Sequence, residues 1–217
     1  MSMHDFRYVT ENEAKPIEKE LYQILKDVQN LVRSKFTFSF TTIGSSSRNM
    51  ITYDTKSDIG FDFDINIEII DDEEKFTPAE IRHTIRNAIN LVAPRYGYLN
   101  CEDSTRVLRI KKWSSLIPST RRHSCDFAIV YNCSDGNQQY IRFNKKQQNY
   151  TWEYQSKAFA NLDKKINWLK KRGLWSDLRD YYIEKKNKNT NPHKHSRSIF
   201  AEAINEMCHK NNYHKNF

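Results

Sequence analysis

The run Phe61-Asp62-Phe63-Asp64-Ile65-Asn66-Ile67-Glu68-Ile69 constrains what this chain can fold into more than any other stretch. Apolar and polar side chains alternate strictly, and a strand sends successive side chains to opposite faces. Phe61, Phe63, Ile65, Ile67 and Ile69 therefore share one face, and Asp62, Asp64, Asn66 and Glu68 share the other. The aromatic and aliphatic face must be covered by packed elements, whereas the acidic face is left to water, cations or polar partners. Asp62 and Asp64, two residues apart, start about 7 Å apart at the backbone and can converge on one point. At about 4 Å, two carboxylates repel by roughly 4 kcal/mol at an effective dielectric of 20, so convergence implies a bound cation or a raised pKa. The competing reading is the polar outer face of an edge strand.

The flanking patterns supply the covering elements. Ile17, Leu21, Ile24, Leu25, Val28, Leu31 and Val32 recur at steps of three and four, predicting a helix over Lys15–Ser34 with Pro16 in its first turn. Phe36 to Ile43 then alternates with period two and stops at Gly44, and residues 44–50 are polar and turn-rich. Thr77-Pro78-Ala79-Glu80 forms a capping box with Pro at the first helical position; Ile81, Ile85, Ile89 and Val92 line one face, and Pro94 ends the helix. Strands are expected over Arg106–Lys111, Ser124–Tyr131 and Gln139–Phe143, with Asp135-Gly136-Asn137 turning between the last two. Beyond Ser156 the pattern is helical: Leu162–Lys171, Leu178–Lys186 and Arg197–Lys210, with Lys185–His195 a basic, polar loop. This order predicts an α+β fold with a mixed sheet and flanking helices in residues 1–155 and a helical lobe in residues 156–217.

Composition narrows the classes. Twelve Phe and twelve Tyr in 217 residues argue against disorder, although only 38% of the residues are hydrophobic. No stretch approaches the roughly 20 apolar residues a membrane span needs, and the start MSMHDFRYVT lacks a signal-peptide pattern. Cys101, Cys125, Cys133 and Cys208 are scattered without a CxxC pair, predicting neither a disulfide framework nor a zinc knuckle and fitting a reducing, cytoplasmic setting. The formal charge is +8, but residues 140–217 hold 17 Lys+Arg against 7 Asp+Glu, while residues 1–139 hold 18 against 20. The acidic part would attract metal and the basic part polyphosphate or nucleic acid; a solvated basic helical surface is the bland alternative.

A strand that ends in Gly44-Ser45 and runs into a helix start offers backbone N–H groups and a hydroxyl suited to a triphosphate. Taken with Asp62-Phe63-Asp64 on the next strand, Ile43-Gly44-Ser45-Ser46-Ser47-Arg48-Asn49 resembles the Gly-Ser-x-x-Arg-Gly turn of the DNA polymerase beta-like nucleotidyltransferase superfamily. Cys125-Asp126-Phe127-Ala128-Ile129-Val130 is similar to the family's strand carrying a third carboxylate. The preceding Arg106-Val107-Leu108-Arg109-Ile110 resembles its partner strand in the branch containing oligoadenylate and cyclic-dinucleotide synthetases. The resemblance covers roughly Phe36 to Tyr131 and departs from the family in two places. Asn49 replaces the turn's second glycine, a position that Asn tolerates in a left-handed conformation better than most residues. Ser57-Asp58-Ile59-Gly60 imitates the family's Ser-Asp-x-Asp with Gly at the second acid, making Asp58 a rival to Asp62 as first metal ligand.

The resemblance implies a palm-like sheet and two-metal phosphoryl transfer. Asp62, Asp64 and Asp126 would hold Mg2+, with Mn2+ also suitable, while Gly44, Ser45, Arg48 and Lys165 would bind the nucleotide, ATP or another NTP. The acceptor would be a hydroxyl on a nucleotide, RNA or small molecule. The helical lobe is expected to face the carboxylates across a cleft. Tyr150, Trp152 and Tyr154 offer a base-stacking surface or scaffold packing, and Arg121-Arg122-His123 offers an acceptor-phosphate site or an exposed loop. Lys164, Lys165, Lys170, Lys171 and Arg172 offer a phosphate contact or a solvated face. His193-Lys194-His195 reads as surface. An inactive module binding nucleotide or RNA is the alternative from another class. A metal-dependent nuclease leaves Gly44-Ser45 unexplained.

Overall fold

The computed structural model describes residues 4–57, 60–71, 74–112, 122–155 and 160–213. Along the chain run β1 (Phe6–Tyr8), α1 (Glu11–Val32), β2 (Thr37–Ile43), a 3-10 turn (Ser46–Arg48), β3 (Thr52–Asp54), β4 (Phe61–Ile70) and α2 (Pro78–Val92). A second 3-10 turn (Ala93–Tyr96) leads to β5 (Glu102–Asp103), β6 (Leu108–Lys112), β7 (His123–Asn132), β8 (Gln138–Asn144) and β9 (Asn149–Tyr154). Helices α3 (Ala160–Lys171), α4 (Trp175–Lys188) and α5 (Ser196–Lys210) follow. The expected α+β class with a mixed sheet is what forms. The chain divides into two compact units: Tyr8–Tyr53 with Ile59–Gln155, and Met1–Arg7 with Asp54–Asp58 and Ser156–Phe217.

In the sheet unit the strand order is β2-β4-β7-β6-β5, with β8 joining the far end of β7 and β9 pairing with β8. Only β4 and β7 among these pairs run parallel, which requires a long crossover, and α2 lies in it. The apolar face of β4 is buried throughout, from Phe61 to Ile69. Leu21, Ile24, Leu25 and Val28 of α1 and Ile81, Ile85 and Ile89 of α2 belong to the same core, together with Phe38, Phe127 and Ile129. The alternation thus positions the acids: with both helices drawn to the odd-numbered face, the even-numbered side chains of β4 stand on the other.

Helix α1 begins four residues earlier than its apolar spacing suggests. Thr10 and Glu13 form a capping box, so Pro16 lies inside the helix rather than in its first turn. The cost there is small, because Pro16 is exposed and the Asn12 carbonyl that loses its helical partner is exposed too. The second capping box, Thr77 with Glu80, stands where the sequence places it. Strands β1, β3 and β5 are too short for periodicity to reveal.

Arg82 of α2 is fully buried and fixes the strand ends beyond it. Its guanidinium donates to Asp103 Oδ1 at 2.6 and 3.0 Å and to the carbonyls of Ser104, Val107, Ile141 and Arg106 at 2.7, 3.0, 3.2 and 3.4 Å. Tyr150 donates its hydroxyl to the other Asp103 oxygen at 2.6 Å, and burial pushes its pKa up to about 12.

In the helical unit, Leu178, Ile199, Ala203, Ile204 and Met207 are buried between α4 and α5. Much of its positive charge is internally paired. Lys185 bonds Glu206 at 2.7 Å, Lys194 bonds Glu202 at 2.7 Å, and Lys186 is buried with its ammonium 4.0 Å from the Phe6 ring centre. The expected loop over Lys185–His195 is helical through Lys188.

Candidate active site

Three strands align the charged residues in one row. Asp64 on β4 is in register with Asp126 on β7, and Asp126 with Arg109 on β6. Asp62 stands one row away, in register with Ser124, whose hydroxyl donates to Asp62. Residues in register share a face, so Asp62, Asp64, Asp126 and Arg109 all project from the face opposite the helices. Asp62 is exposed, and Asp64 and Asp126 are half-buried. Arg109 grips Asp126 with both prongs, Nε to Oδ1 at 2.5 Å and Nη2 to Oδ2 at 2.6 Å. That bond raises the Arg109 pKa against the opposing effect of burial, and the charges of Asp126, Asp62 and Glu102 add to the rise.

The Gly44-Ser45 turn closes directly over this row. Ile43, the last residue of β2, pairs with Asp64. Gly44 has φ +68°, a conformation glycine adopts without a Cβ penalty, and a Cβ built there would stand 2.7 Å from Asp64 Oδ2, so a side chain would have to displace that carboxylate. Arg48 Nη1 donates to the Gly44 carbonyl at 2.8 Å, and the Ser47 hydroxyl reaches the same carbonyl at 3.1 Å. Asn49 adopts φ 53°, ψ 43° and donates its side-chain amide to Glu11 at 3.1 Å. Asn49 is thus in the left-handed region that a glycine would enter freely. Two oxygens in the neighbourhood, Ser46 Oγ in the turn and Asn66 Oδ1 on the carboxylate face, are buried without a hydrogen-bond partner.

Gly60 has its own steric reason. A Cβ there would fall 2.1 Å from the Arg122 carbonyl oxygen, which also accepts the Phe61 amide at 3.2 Å. An acid cannot occupy this position. The rival ligand Asp58 lies outside the described residues. Gly60→Ala should destabilise the sheet unit by about 1–3 kcal/mol through forced backbone displacement. Urea unfolding measures this, and a change below a few tenths of a kcal/mol would contradict the close approach.

Lys165 donates to Asn205 at 2.5 Å and lies 6.0 Å from the Tyr213 ring centre, within the helical unit. Lys170 and Arg172 sit 4.6 Å over Trp175 and Trp168. His123 is not in an exposed loop: it is buried at the start of β7, bonded to the Tyr98 hydroxyl at 3.0 Å and stacked on Phe61. Arg122 is exposed, and Arg121 lies outside the described residues. Tyr150 is committed to Asp103, Trp152 packs partly against the core, and Tyr154 is exposed. His193 and His195 are exposed. Arg109 had no assigned role in the sequence reading, because its partnership depends on strand register.

The donor set on this face is all oxygen, the chemistry a hard divalent cation takes, and the glycine cradle brings the turn against one of the donors. Asp62 and Asp64 fit such an ion. As they stand, with Asp126 drawn to Arg109, no three His, Cys, Asp or Glu side chains among the described residues converge to hold one.

A mixed sheet with paired acids on one strand, a third on its parallel neighbour and a Gly-Ser turn over them is the architecture of a nucleotidyltransferase fold. Solved structures with this fold include Vibrio cholerae DncV in its GTP-bound form, at 18% identity and TM-score 0.59, covering 91% of this chain and 52% of that one. The V. cholerae DncV cyclic AMP-GMP synthase, a prokaryotic cGAS homolog, is similar at 12% identity and TM-score 0.63, covering 91% and 67%. Escherichia coli DncV bound to 3'-deoxy GTP is similar at 14% identity and TM-score 0.56, covering 92% and 53%. This chain therefore spans about half the length of most of these structures. No family model and no curated protein matches the sequence. Among the described residues, no helix is long and apolar enough to cross a membrane.

Proposed function

We propose that this chain is a metal-dependent nucleotidyltransferase that moves a nucleoside monophosphate from an NTP to a hydroxyl acceptor and releases pyrophosphate. The observation that carries this reading is the row Asp64–Asp126 beside Asp62, with the left-handed Gly44 turn set against the Asp64 carboxylate. The DncV structures holding GTP or 3'-deoxy ATP support a purine nucleoside triphosphate as donor. The acceptor class is a nucleotide, RNA or small-molecule hydroxyl. The four cysteines are free thiols, which fits a cytoplasmic setting.

Asp62, Asp64 and Asp126 would hold Mg2+, or Mn2+ in its place. When bound, the ion supplies charge neutralisation for the phosphates and lowers the pKa of the attacking hydroxyl. The rest falls to this chain. Ser45 and Arg48 would offer donors to the phosphates, and one prong of Arg48 also braces the turn through the Gly44 carbonyl. The acceptor oxygen bonds to the α-phosphorus as the bond to the bridging oxygen breaks, and its proton is taken up on the carboxylate face.

A second reading, a nucleotide- or RNA-binding module without transfer, is favoured by one observation: Asp126 is already neutralised by Arg109. Thermal shift separates the two. An active site should gain about 2.7 kcal/mol at a ligand concentration of 100 Kd with NTP and Mg2+ together, and much less with either alone. Ser45→Ala should remove part of that gain while leaving the metal response intact. Equal stabilisation by NTP with and without Mg2+ would favour the module.

A further inference from the structure

Asp126 has a built-in counter-ion. Both of its oxygens are taken by Arg109, whose side chain is 39% exposed and so has water to move into, whereas that of Asp126 is 15% exposed and held by the sheet. The pair is in register across neighbouring strands, so the contact requires no unusual backbone. The charge of Asp62 also acts on Arg109, which places the guanidinium in the field of more than one carboxylate. In this arrangement no three such side chains among the described residues are grouped to hold an ion.

Resting on the nucleotidyltransferase reading, we propose that Arg109 is a displaceable counter-ion that competes with the divalent cation for Asp126, and so sets how tightly the nucleotide-free protein binds metal. A cation that needs Asp126 must break a bidentate, charge-assisted pair, and its apparent affinity falls by the fraction of molecules in which that pair is formed. Arg109 is thus a positioning residue. In the absence of metal it relieves repulsion among the acids, and during loading it opposes early filling of the third ligand position.

The test is Mn2+ binding to the full chain without nucleotide, followed by the loss of the free-ion paramagnetic resonance signal. Arg109→Gln should bind Mn2+ about tenfold more tightly than wild type, because the pair no longer has to be broken. Arg109→Lys keeps the charge but loses the two-pronged grip, so it should fall between them; equality with wild type would mean that charge alone acts and would overturn the competition. In an Asp126→Asn background the gain from Arg109→Gln should vanish, since nothing remains to compete for. Unchanged or weaker binding by Arg109→Gln, or a gain that persists in full with Asp126→Asn, overturns the proposal. If Arg109→Gln fails to fold, Arg109→Lys decides alone. Asp64→Asn separates the two levels. If it binds Mn2+ as wild type does, or if no variant binds at all, the metal-site reading falls as well; if it loses binding while the Arg109 variants match wild type, only the competition is wrong.

Discussion

Asp64→Asn should lower nucleotidyl transfer by at least about 10²–10³-fold while leaving the fold intact. Asp64 stands at the centre of the site, in register with Asp126 on one side and against the Gly44 turn on the other. Asn keeps the size and the strand geometry but removes the negative charge that would hold the cation while charge develops on the attacking and leaving oxygens. Replacing one of several carboxylates on a shared face relieves like-charge repulsion, so metal-free stability should be unchanged or slightly higher. Pyrophosphate release measures the first effect and urea unfolding the second. Transfer at the wild-type rate on a substrate that wild type demonstrably uses would remove Asp64 from the chemistry.

The largest stability effect is expected at Arg82. Its guanidinium satisfies Asp103 and four backbone carbonyls and is wholly buried. Arg82→Met keeps most of the apolar stem but strips these acceptors of their donor and leaves the Asp103 carboxylate with only Tyr150 from this set of contacts. Breaking one side of a buried ion pair costs about 3–5 kcal/mol, a large share of the roughly 5–15 kcal/mol by which domains are stable. Chemical denaturation with intrinsic fluorescence reads the loss directly. A shift under about 1 kcal/mol would mean that water replaces the guanidinium at these carbonyls.

Much of the sheet was legible because period and burial coincide. The alternation in β4 fixes which side chains face the helices, and the capping box Thr77–Glu80 fixes where α2 starts. The start of α1 was equally encoded, in Thr10 and Glu13, but Pro16 at the edge of the apolar pattern drew the boundary inward. Strand β3, three residues long, carries no period to detect. The departures from the family's motif turn out to have steric reasons. Asn49 is in the left-handed conformation, and Gly60 is pressed against the Arg122 backbone. What a linear sequence could not display is partnership across strands. Arg109 and Asp126 are 17 residues apart and become opposite one another only once the β6–β7 register is set. Arg82 likewise meets carbonyls up to 59 residues away. That the three carboxylates share a sheet face was readable; the guanidinium standing on one of them was not.

This sheet face is expected to perform transfer. The direct measurement is incubation of the chain with each of the four labelled NTPs and Mg2+, over a panel of nucleotide, RNA and small-molecule acceptors, with products separated and pyrophosphate quantified. Metal-dependent release of pyrophosphate in step with a nucleotidylated product, lost in Asp64→Asn, is the expected result. Tight binding of nucleotide or RNA with no pyrophosphate from any NTP and acceptor would contradict it and leave a binding module in its place.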